Sequence, residues 1–304
     1  MATLKHLEDG QLRPLPGHLI VGRGPACALR INDRHVSGEH ATLIWTPKGW
    51  VIRDLGSRNG TFVDGVRLEP GEPMALGPGV KLGFGSTENG LWELTDVEPP
   101  SALAERLDTK ELRSAEDGIL ALPSGESPQY LVFVDQRGRW VLEDEDGEQR
   151  ILDDGEVITA GGDSWKILLP DIHLGTATID AGPTIDTISL RFGVSRDEEH
   201  VEITIIHRGK ETRLEAREHA YTLLTLARGR LDDAALPLAE QGWLERDQLV
   251  RMLGTDGNSL NVAIYRARGQ LGAAGVEGAA GVVEVRRGQR RFGLEPARFE
   301  VVPL

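Results

Sequence analysis

The sequence is poor in cysteine, in aromatic residues and in long apolar stretches. Cys27 is the only cysteine among 304 residues, which excludes an internal disulfide and any zinc site built on several cysteines. Aromatic residues make up 5% of the chain, and no apolar run approaches the roughly 20 residues of a bilayer-spanning helix. The amino terminus lacks the basic stretch, apolar stretch and cleavage site of a secretory signal. These absences predict a cytoplasmic protein without a membrane partner.

Sequence motifs of catalysis are also missing. The chain contains no Walker loop, no H-E-x-x-H pair and no nucleophile elbow, and VGRGPACALR (21–30) lacks the third glycine of a dinucleotide fingerprint. Its eight histidines include no pair with metal-binding spacing on a predicted helix. We therefore expect no enzymatic activity, no cofactor and no metal site.

The charge is unevenly distributed along the chain. The formal net charge of −14 argues against a general nucleic-acid coat, because affinity for phosphate backbones comes mainly from Lys and Arg. Residues 98–180 hold 7 Lys and Arg against 19 Asp and Glu, a net charge of −12, whereas residues 257–294 hold six Arg against two Glu, a net charge of +4. One basic stretch therefore remains as a candidate for nucleic-acid binding.

Residues 1–97 predict an all-β sandwich, because short apolar or alternating runs recur about every 8–12 residues between turn-forming clusters. The predicted strands are 18–21, 40–45, 50–53, 61–63, 80–83 and 90–94. Residues 98–117 contain a Pro-Pro pair and a charged, polar run, which predicts a linker.

Residues 118–170 predict a small, acidic, β-rich domain that repeats part of the first. HATLIWTPKGWVIRD (40–54) aligns with YLVFVDQRGRWVLED (130–144), and GEPMALGPGVKLGFG (71–85) aligns with GEVITAGGDSWKILL (155–169). The acidic run EDEDGE (143–148) indicates a solvated turn, since its spacing does not match a calcium loop. A further hypothesis is that this acidic domain screens the basic stretch as an electrostatic latch.

Residues 186–304 predict an α+β domain that follows a connector at 171–185. Its predicted strands are 188–192, 201–207 and 211–214, its predicted helices 220–227, 244–253 and 260–271, and its predicted closing hairpin 282–285 with 291–294. Ser259 is the expected N-cap of the third helix.

Three clusters lie between strands of the predicted sandwich: VGRG (21–24), VSGEH (36–40) and DLGSRNGTF (54–62). Loops on a rigid scaffold commonly present binding residues, and a phosphate needs a fixed cation and short hydrogen-bond donors at converging loops. The combination resembles the forkhead-associated (FHA) domain, whose signature is Gly-Arg, Ser-x-x-His and Asn-Gly-Thr in this order. The resemblance covers residues 1–97, and the domain at 118–170 then resembles a degenerate FHA unit without these motifs.

The resemblance implies binding of phosphothreonine, with Arg23 and Ser37 on the phosphate and Asn59 on the main chain of the ligand. Gly38 stands where the family often has a cationic or amide side chain, so it offers only its backbone N–H. The candidate phosphopeptide-binding residues are Arg23, Arg34, Ser37, Gly38, Arg58 and Asn59. Residues expected to shape the loops are Gly22, His40, Asp54, Gly60 and Thr61. The alternative is that these clusters form turns and bind nothing.

A second resemblance rests on LEAREHAYTLLTLA (214–227), WLERDQLVRML (243–253) and SLNVAIYRARGQL (259–271). These stretches are similar to the three helices of the OmpR-type winged-helix DNA-binding domain, with the third as the recognition helix. VRRGQRRF (285–292) takes the place of the wing, although it lacks the second glycine and the aromatic residue usual there. The resemblance implies double-stranded DNA as a partner.

A helix with one apolar side and one polar side can enter a major groove about 12 Å wide, where Arg suits guanine and Asn or Gln suits adenine. Arginines of the hairpin would contact phosphates or the minor groove. The candidate DNA-binding residues are Asn261, Tyr265, Arg266, Arg268, Gln270, Arg286, Arg287, Arg290 and Arg291.

These features predict a multidomain signalling regulator of bacterial type. The FHA domain captures a segment phosphorylated by a Ser/Thr kinase, on a partner or on a second copy of the chain, and the winged helix binds DNA to regulate transcription. Dimerisation is one expected consequence of capture. The alternative is a phospho-dependent adaptor whose winged helix mediates protein contacts or dimerisation and does not bind DNA.

Overall fold

The computed structural model describes residues 1–46, 48–135, 137–170, 182–286 and 288–304. They form two compact units. The first contains Met1–Glu105, and the second contains Ala115–Lys166 together with the described residues from 182 onward. Within this described part of the chain, no helix combines the length and the apolarity needed to cross a bilayer.

The first unit is a sandwich of two sheets. Its strands are β1 (Thr3–His6), β2 (Leu12–Pro14), β3 (His18–Gly22), β4 (Leu29–Arg30), β5 (Ala41–Thr46), β6 (Gly49–Asp54), β7 (Thr61–Val63), β8 (Val66–Arg67), β9 (Pro73–Ala75), β10 (Lys81–Phe84) and β11 (Trp92–Leu94). One sheet has the order β2-β1-β11-β10-β7-β8 and the other β4-β3-β5-β6-β9. Leu4 and Leu82 of the first sheet and Leu43 and Ile52 of the second are fully buried in the shared core. The predicted all-β fold is confirmed here.

The predicted linker at 98–117 is wrong over part of its length. It contains β12 (Leu103–Arg106) and β13 (Leu112–Ser114), which pair as an antiparallel hairpin. Leu103 and Ala104 are buried, so this charged stretch still contributes apolar side chains to a core. Of the predicted connector at 171–185, residues 171–181 lie outside the described residues, and Ile185 is buried in the core of the second unit.

The next part of the chain, which belongs mainly to the second unit, is again built of strands. They are β14 (Leu120–Leu122), β15 (Tyr130–Val134), β16 (Trp140–Asp144), β17 (Gln149–Ile151), β18 (Val157–Ala160) and β19 (Asp163–Leu168). The sheet order β14-β15-β16-β17 parallels β3-β5-β6-β9 of the first unit, and β18 pairs with β19. The first aligned pair falls on corresponding hairpins, β5-β6 and β15-β16. The second pair does not correspond, because β9 pairs with β6 whereas β18 pairs with β19.

The remainder of the second unit is mixed α and β. Its elements are β20 (Ser189–Val194), β21 (Val201–His207), β22 (Lys210–Arg213), α1 (His219–Asp232), β23 (Leu244–Glu245), α2 (Arg246–Leu253), α3 (Gly257–Ala273), β24 (Val283–Arg286), β25 (Gln289–Phe292) and β26 (Phe299–Pro303). The sheets have the orders β22-β21-β20-β26 and β23-β25-β24. Leu224, Ile264 and Phe292 join helices and sheets in one core.

Helix α3 begins one turn earlier than the sequence predicts. Its N-cap is Asp256, whose carboxylate accepts the Ser259 N–H at 2.8 Å, so Ser259 is not the cap. Helix α2 begins at Arg246 because the two preceding residues pair with β25. Along α3 the fully buried apolar positions are Leu260, Ile264, Ala267 and Leu271, which define its side toward the core.

Candidate functional site

Three loops of the first unit meet in one place, which we call the loop cluster (residues 22–24, 31–40 and 55–60). The Arg23 N–H donates to the Ser37 carbonyl at 2.8 Å, and the Gly24 N–H donates to the Gly38 carbonyl at 2.8 Å. The Arg58 N–H donates to the Ser37 hydroxyl oxygen at 3.1 Å. Ser37 therefore joins the middle loop to both of the others.

Two glycines allow the close approach between the first two loops. A Cβ atom at Gly22 would lie 2.2 Å from the Gly38 carbonyl oxygen, and one at Gly24 would lie 2.9 Å from the same atom. Backbone atoms cannot yield to such contacts as a flexible side chain can, so both positions require glycine. The Gly-Arg-Gly sequence thus places Arg23 directly beside the serine loop.

A buried histidine connects the second and third loops. His40 is fully buried, its Nδ1 accepts the Ser37 N–H at 3.0 Å, and its Nε2 bonds to the Gly60 carbonyl at 3.1 Å. Accepting at Nδ1 requires that the proton sit on Nε2, which makes Nε2 the donor. Burial lowers the pKa of His40 against the opposing effects of Gly60 and Asp54. A neutral imidazole therefore holds the Ser37 backbone in place.

A buried carboxylate frames the third loop. Asp54 is 1% exposed and accepts the N–H groups of Gly56 and Ser57 at 2.8 Å, the Ser57 hydroxyl at 2.6 Å and the Thr61 hydroxyl at 2.5 Å. Burial alone would raise the pKa of Asp54, but the hydrogen bonds from Ser57, Thr61 and the backbone outweigh it and hold this pKa below 3.8. Its ionised form therefore stabilises the loop.

The substitution Asp54→Ala is expected to lower the free energy of unfolding of the first unit by at least about 2 kcal/mol at pH 7, since it strands several buried donors. Because folding lowers the pKa of Asp54, its contribution is present above the unfolded-state pKa and is lost as the pH falls through the lower folded-state pKa. Urea unfolding at pH 7 and pH 3 measures both effects. Glu39→Ala, which removes an exposed carboxylate from the same loop cluster, is the control, and an equal loss for both variants would contradict this role.

The loop cluster brings most of the candidate phosphopeptide residues together. The exposed Arg23 side chain is steadied by a hydrogen bond from its Nε to the Val36 carbonyl at 3.3 Å. The Ser37 hydroxyl accepts from Arg58, so its own O–H remains able to donate. The Asn59 amide donates to the His35 carbonyl at 2.8 Å, a tie between loops that the sequence does not predict, and its oxygen remains able to accept.

The remaining candidates of this site, Arg34, Gly38 and Arg58, are exposed. The resulting surface combines three exposed guanidinium groups with a hydroxyl donor on a rigid backbone frame. A planar guanidinium beside a hydroxyl suits an anion with several acceptor oxygens, as a phosphate has. Gly22, His40, Asp54, Gly60 and Thr61 lie in the frame beneath, in line with the expected loop-shaping roles.

The candidate DNA-binding residues are placed less uniformly. Arg266 of α3 is exposed and borders an open cleft that Ser259 and Val262 also line. Arg286 is exposed, with its guanidinium carbon 4.4 Å from the centroid of the Trp243 ring. Arg287 lies outside the described residues. Arg266 and Arg286 therefore present exposed positive charge on α3 and on the β24-β25 hairpin.

The structure contradicts the expected surface exposure of Arg268 and Arg290. Arg268 is 0% exposed and forms a two-pronged ion pair with Glu143, at 2.9 and 3.1 Å. Arg290 is 1% exposed, and burial lowers its pKa. Arg268 pairs with Glu143 and the Arg290 guanidinium lies beside Gly147, so both arginines face the strands that follow residue 118. A buried guanidinium needs such partners.

Four further candidates are occupied by contacts within the second unit. The half-buried Asn261 donates to the Glu145 carbonyl at 3.0 Å, and burial raises the pKa of the half-buried Tyr265. Gln270 bonds His219 at 2.8 Å, and Arg291 pairs with Glu284 at 2.6 Å. The expected row of groove-facing side chains is therefore wrong for these positions, since intramolecular partners hold them.

Comparison with known proteins matches one part of the chain to a family. The model of the FHA domain matches residues 19–85. The FHA domain-containing protein FhaB of Mycobacterium tuberculosis is 31% identical over 65 residues, which cover 21% of this chain and 42% of that protein. The nuclear inhibitor of protein phosphatase 1 of Homo sapiens is 30% identical over 117 residues, which cover 36% of this chain and 32% of that protein.

A solved structure described as an analysis of phosphothreonine-dependent FHA domain interactions is 25% identical, with a TM-score of 0.28, and the match covers 32% of this chain and 97% of that one. The chain spans less than half the length of the two curated relatives. The residues matched by the family model include the whole loop cluster. The family model thus supports an FHA domain at residues 19–85.

Proposed function

We propose that the chain is a phosphothreonine-responsive regulator whose FHA domain captures a phosphorylated protein. The convergence of Arg23, Ser37 and Asn59 in the loop cluster carries this proposal. Arg23 and Ser37 bind the phosphate, and Arg34 and Arg58 add positive charge beside it. Asn59 forms a hydrogen bond with the main chain of the ligand. The matched family and the anion-suited geometry support this assignment together.

The direct test is binding of a degenerate phosphothreonine peptide library to the full chain, compared with the unphosphorylated library. Binding of the phosphorylated library alone supports the proposal. Equal binding of both libraries would refute phosphate recognition. The donors of the loop cluster, which we assign to the phosphate and to the adjacent backbone, would then contribute nothing that depends on the phosphate.

We further propose that residues 186–304 form a winged helix that binds double-stranded DNA. The order of a sheet, three helices and a hairpin supports this arrangement, as does the sharp turn between α2 and α3 at Gly254, which has a φ of +62°. Arg266 of α3 and Arg286 of the hairpin then provide the contacts to DNA. Genome-wide recovery of DNA fragments by the full chain, with and without a phosphothreonine peptide, tests DNA binding and its dependence on capture.

The substitution Arg266→Ala is expected to weaken binding to recovered DNA sites by about 1–3 kcal/mol and to relax base preference at one position. Competition measurements against random-sequence DNA separate the loss of specific binding from the general loss of charge. Arg196→Ala, which removes an exposed arginine between β20 and β21, is the matched control. An effect of equal size in both variants would remove Arg266 from the proposed interface.

A second candidate function is a phospho-dependent adaptor without a DNA role. The contacts that occupy Asn261, Tyr265 and Arg268 favour it, because one side of α3 packs on strands of the same chain and is not available to DNA. DNA binding, where present, falls steeply with salt. Retention on DNA that is absent or insensitive to salt would favour the adaptor.

A further inference from the structure

Residues 115–166, here called the middle segment, pack along one side of α3. Ser127 Oγ donates to Asn258 Oδ1 at 3.3 Å, and Asn261 Nδ2 donates to the Glu145 carbonyl at 3.0 Å. The α3 positions in contact are 258, 261, 265, 268 and 272, a spacing of three and four residues. Such spacing marks one continuous side of a helix, so the contact extends over most of α3.

A buried ion pair lies at the centre of this contact. The two terminal nitrogens of Arg268 donate to the two carboxylate oxygens of Glu143, and one of them also donates to the Val283 carbonyl at 2.8 Å. The guanidinium carbon lies 5.1 Å from the centroid of the Phe133 ring. Both charges are shielded from water, since Arg268 is 0% and Glu143 5% exposed. Neither charge is left without an opposite partner while the segment is docked.

An apolar cluster borders the ion pair through Phe133. Tyr265 of α3 and the buried Ala280 pack against a cluster of the middle segment that consists of Ile119, Ala121, Leu131, Phe133 and Val141. Burial of such side chains is a favourable term that does not depend on salt in the way that surface charges do. The contact is therefore more than an attraction between an acidic and a basic surface.

Glycines on both partners allow the close approach. A Cβ atom at Gly125 would lie 2.6 Å from the Tyr265 ring, and one at Gly272 would lie 2.5 Å from the Asp117 carbonyl oxygen. Gly147, with a φ of +85°, would place a Cβ 2.5 Å from the Arg290 guanidinium. Glycine inside a helix costs about 1 kcal/mol relative to alanine. Gly272 therefore lowers the stability of α3 at the position where a side chain would collide with the docked segment.

We propose that the docked middle segment blocks DNA from α3 and acts as an intramolecular competitor of DNA; this rests on the proposed DNA-binding function. An α-helix with its side chains is about 10–12 Å wide and fills a major groove of about 12 Å, which leaves no space for a second layer of chain beside it. Ser127 holds the N-terminal end of α3, the end that a recognition helix directs at base edges.

Charge adds to the steric block. Glu126 lines the same cleft as Arg266, and the acidic run 143–148 borders α3 through Glu143 and Glu145. The exposed carboxylates of Glu126 and Glu145 repel the phosphates that Arg266 would contact, whereas the charge of Glu143 is neutralised by Arg268. The apparent DNA affinity of the chain is then its intrinsic affinity reduced by the fraction of molecules in which the segment has undocked.

Two substitutions in the middle segment open the contact and leave α3 unchanged. Gly125→Leu drives a side chain into the Tyr265 ring, and Glu143→Gln removes the charge that neutralises Arg268. Glu148→Gln is the matched control, because it removes one negative charge from an exposed side chain of the same acidic run. Each variant is studied as the full chain.

Two measurements are made on every variant. Hydrogen exchange of α3 and of β14–β16 reports docking without any DNA, and exchange in β20–β22 and in the first unit verifies that the rest of the chain is folded. Fluorescence anisotropy with a random-sequence duplex at low salt reports DNA binding. For Gly125→Leu and Glu143→Gln we expect faster exchange at the contact and DNA binding that is tighter by roughly tenfold or more. Glu148→Gln should resemble the wild type in both measurements.

Faster exchange with unchanged or weaker DNA binding would overturn the block and leave DNA binding itself intact. Faster exchange with no DNA binding by any chain, and no genomic fragment recovered, would instead overturn the DNA-binding function and the block together. Unchanged exchange in both opening variants would show that these contacts do not hold the segment, which also overturns the proposal.

Discussion

The substitution Arg268→Ala is expected to lower the free energy of unfolding of the second unit by about 3–5 kcal/mol, because it leaves Glu143 as an unpaired charge in a buried position. The same change removes the hydrogen bond to the Val283 carbonyl and the contact with the Phe133 ring. Differential scanning calorimetry combined with hydrogen exchange assigns the lost stability to this unit. A loss of this size would show that Arg268 stabilises the fold. An exposed arginine that contacts only DNA would have little effect on the free energy of unfolding.

Arg266→Ala is the matched control on the same helix. Arg266 is exposed two positions away, and exposed substitutions without special contacts change stability by no more than about 0.5 kcal/mol. The double substitution Glu143→Leu with Arg268→Met replaces the ion pair by apolar side chains and should recover much of the loss, since such pairs are often replaceable without cost. A loss for Arg268→Ala within the range of Arg266→Ala would show that the pair does not hold α3.

The loop cluster could be predicted from the sequence because its parts are local. Each loop follows or precedes a strand whose alternation is visible, and each carries small or turn-forming residues beside one polar group. What the sequence did not supply is the hydrogen bonding between the loops, such as the bond from Asn59 to the His35 carbonyl across 24 positions. Such bonds depend on how the two sheets bring separate loops together.

The distribution of charge along the chain predicts an acidic domain that screens the basic stretch, but local patterns do not predict which residues dock on α3. Glu143 and Arg268 are 125 positions apart, and each alone is typical of a solvated acidic turn or of a basic recognition helix. The two glycines near the end of α3 are a further signal, because helix interiors disfavour glycine unless a neighbour needs the space. Gly272 has such a neighbour in the backbone of Asp117.

The missed hairpin β12-β13 has a different cause. Its strands are short, and charged residues alternate with Leu103 and Leu112 in a stretch that follows two prolines. Composition alone therefore resembles a linker. The pairing of these two short strands with each other gives the residues their β structure, although their composition carries little β signal.

The substitution Arg23→Ala is expected to weaken binding of a phosphothreonine peptide roughly 30-fold or more, which corresponds to at least about 2 kcal/mol. This is the loss expected when one partner is removed from a charge pair that ligand binding has partly buried, here the pair of Arg23 with the phosphate. Arg23 is exposed and its side chain makes one bond to the frame, from Nε to the Val36 carbonyl. The bonds of Asp54 and His40 that order the loops do not involve this side chain. The loss should therefore appear in affinity and leave the unfolding free energy nearly unchanged.

Arg53→Ala provides the matched control, because Arg53 is an exposed arginine on β6 of the same unit and its removal changes the net charge equally. Titration of both variants with a phosphothreonine peptide and with its unphosphorylated form separates recognition of the phosphate from general attraction. Ser37→Ala should lose about 10-fold to 100-fold, since it removes one hydrogen bond to a charged group and the acceptor of the Arg58 N–H. If Arg23→Ala and Arg53→Ala bind the phosphopeptide equally, the phosphate does not sit at the Gly-Arg loop, and the assignment of the loop cluster fails at its central residue.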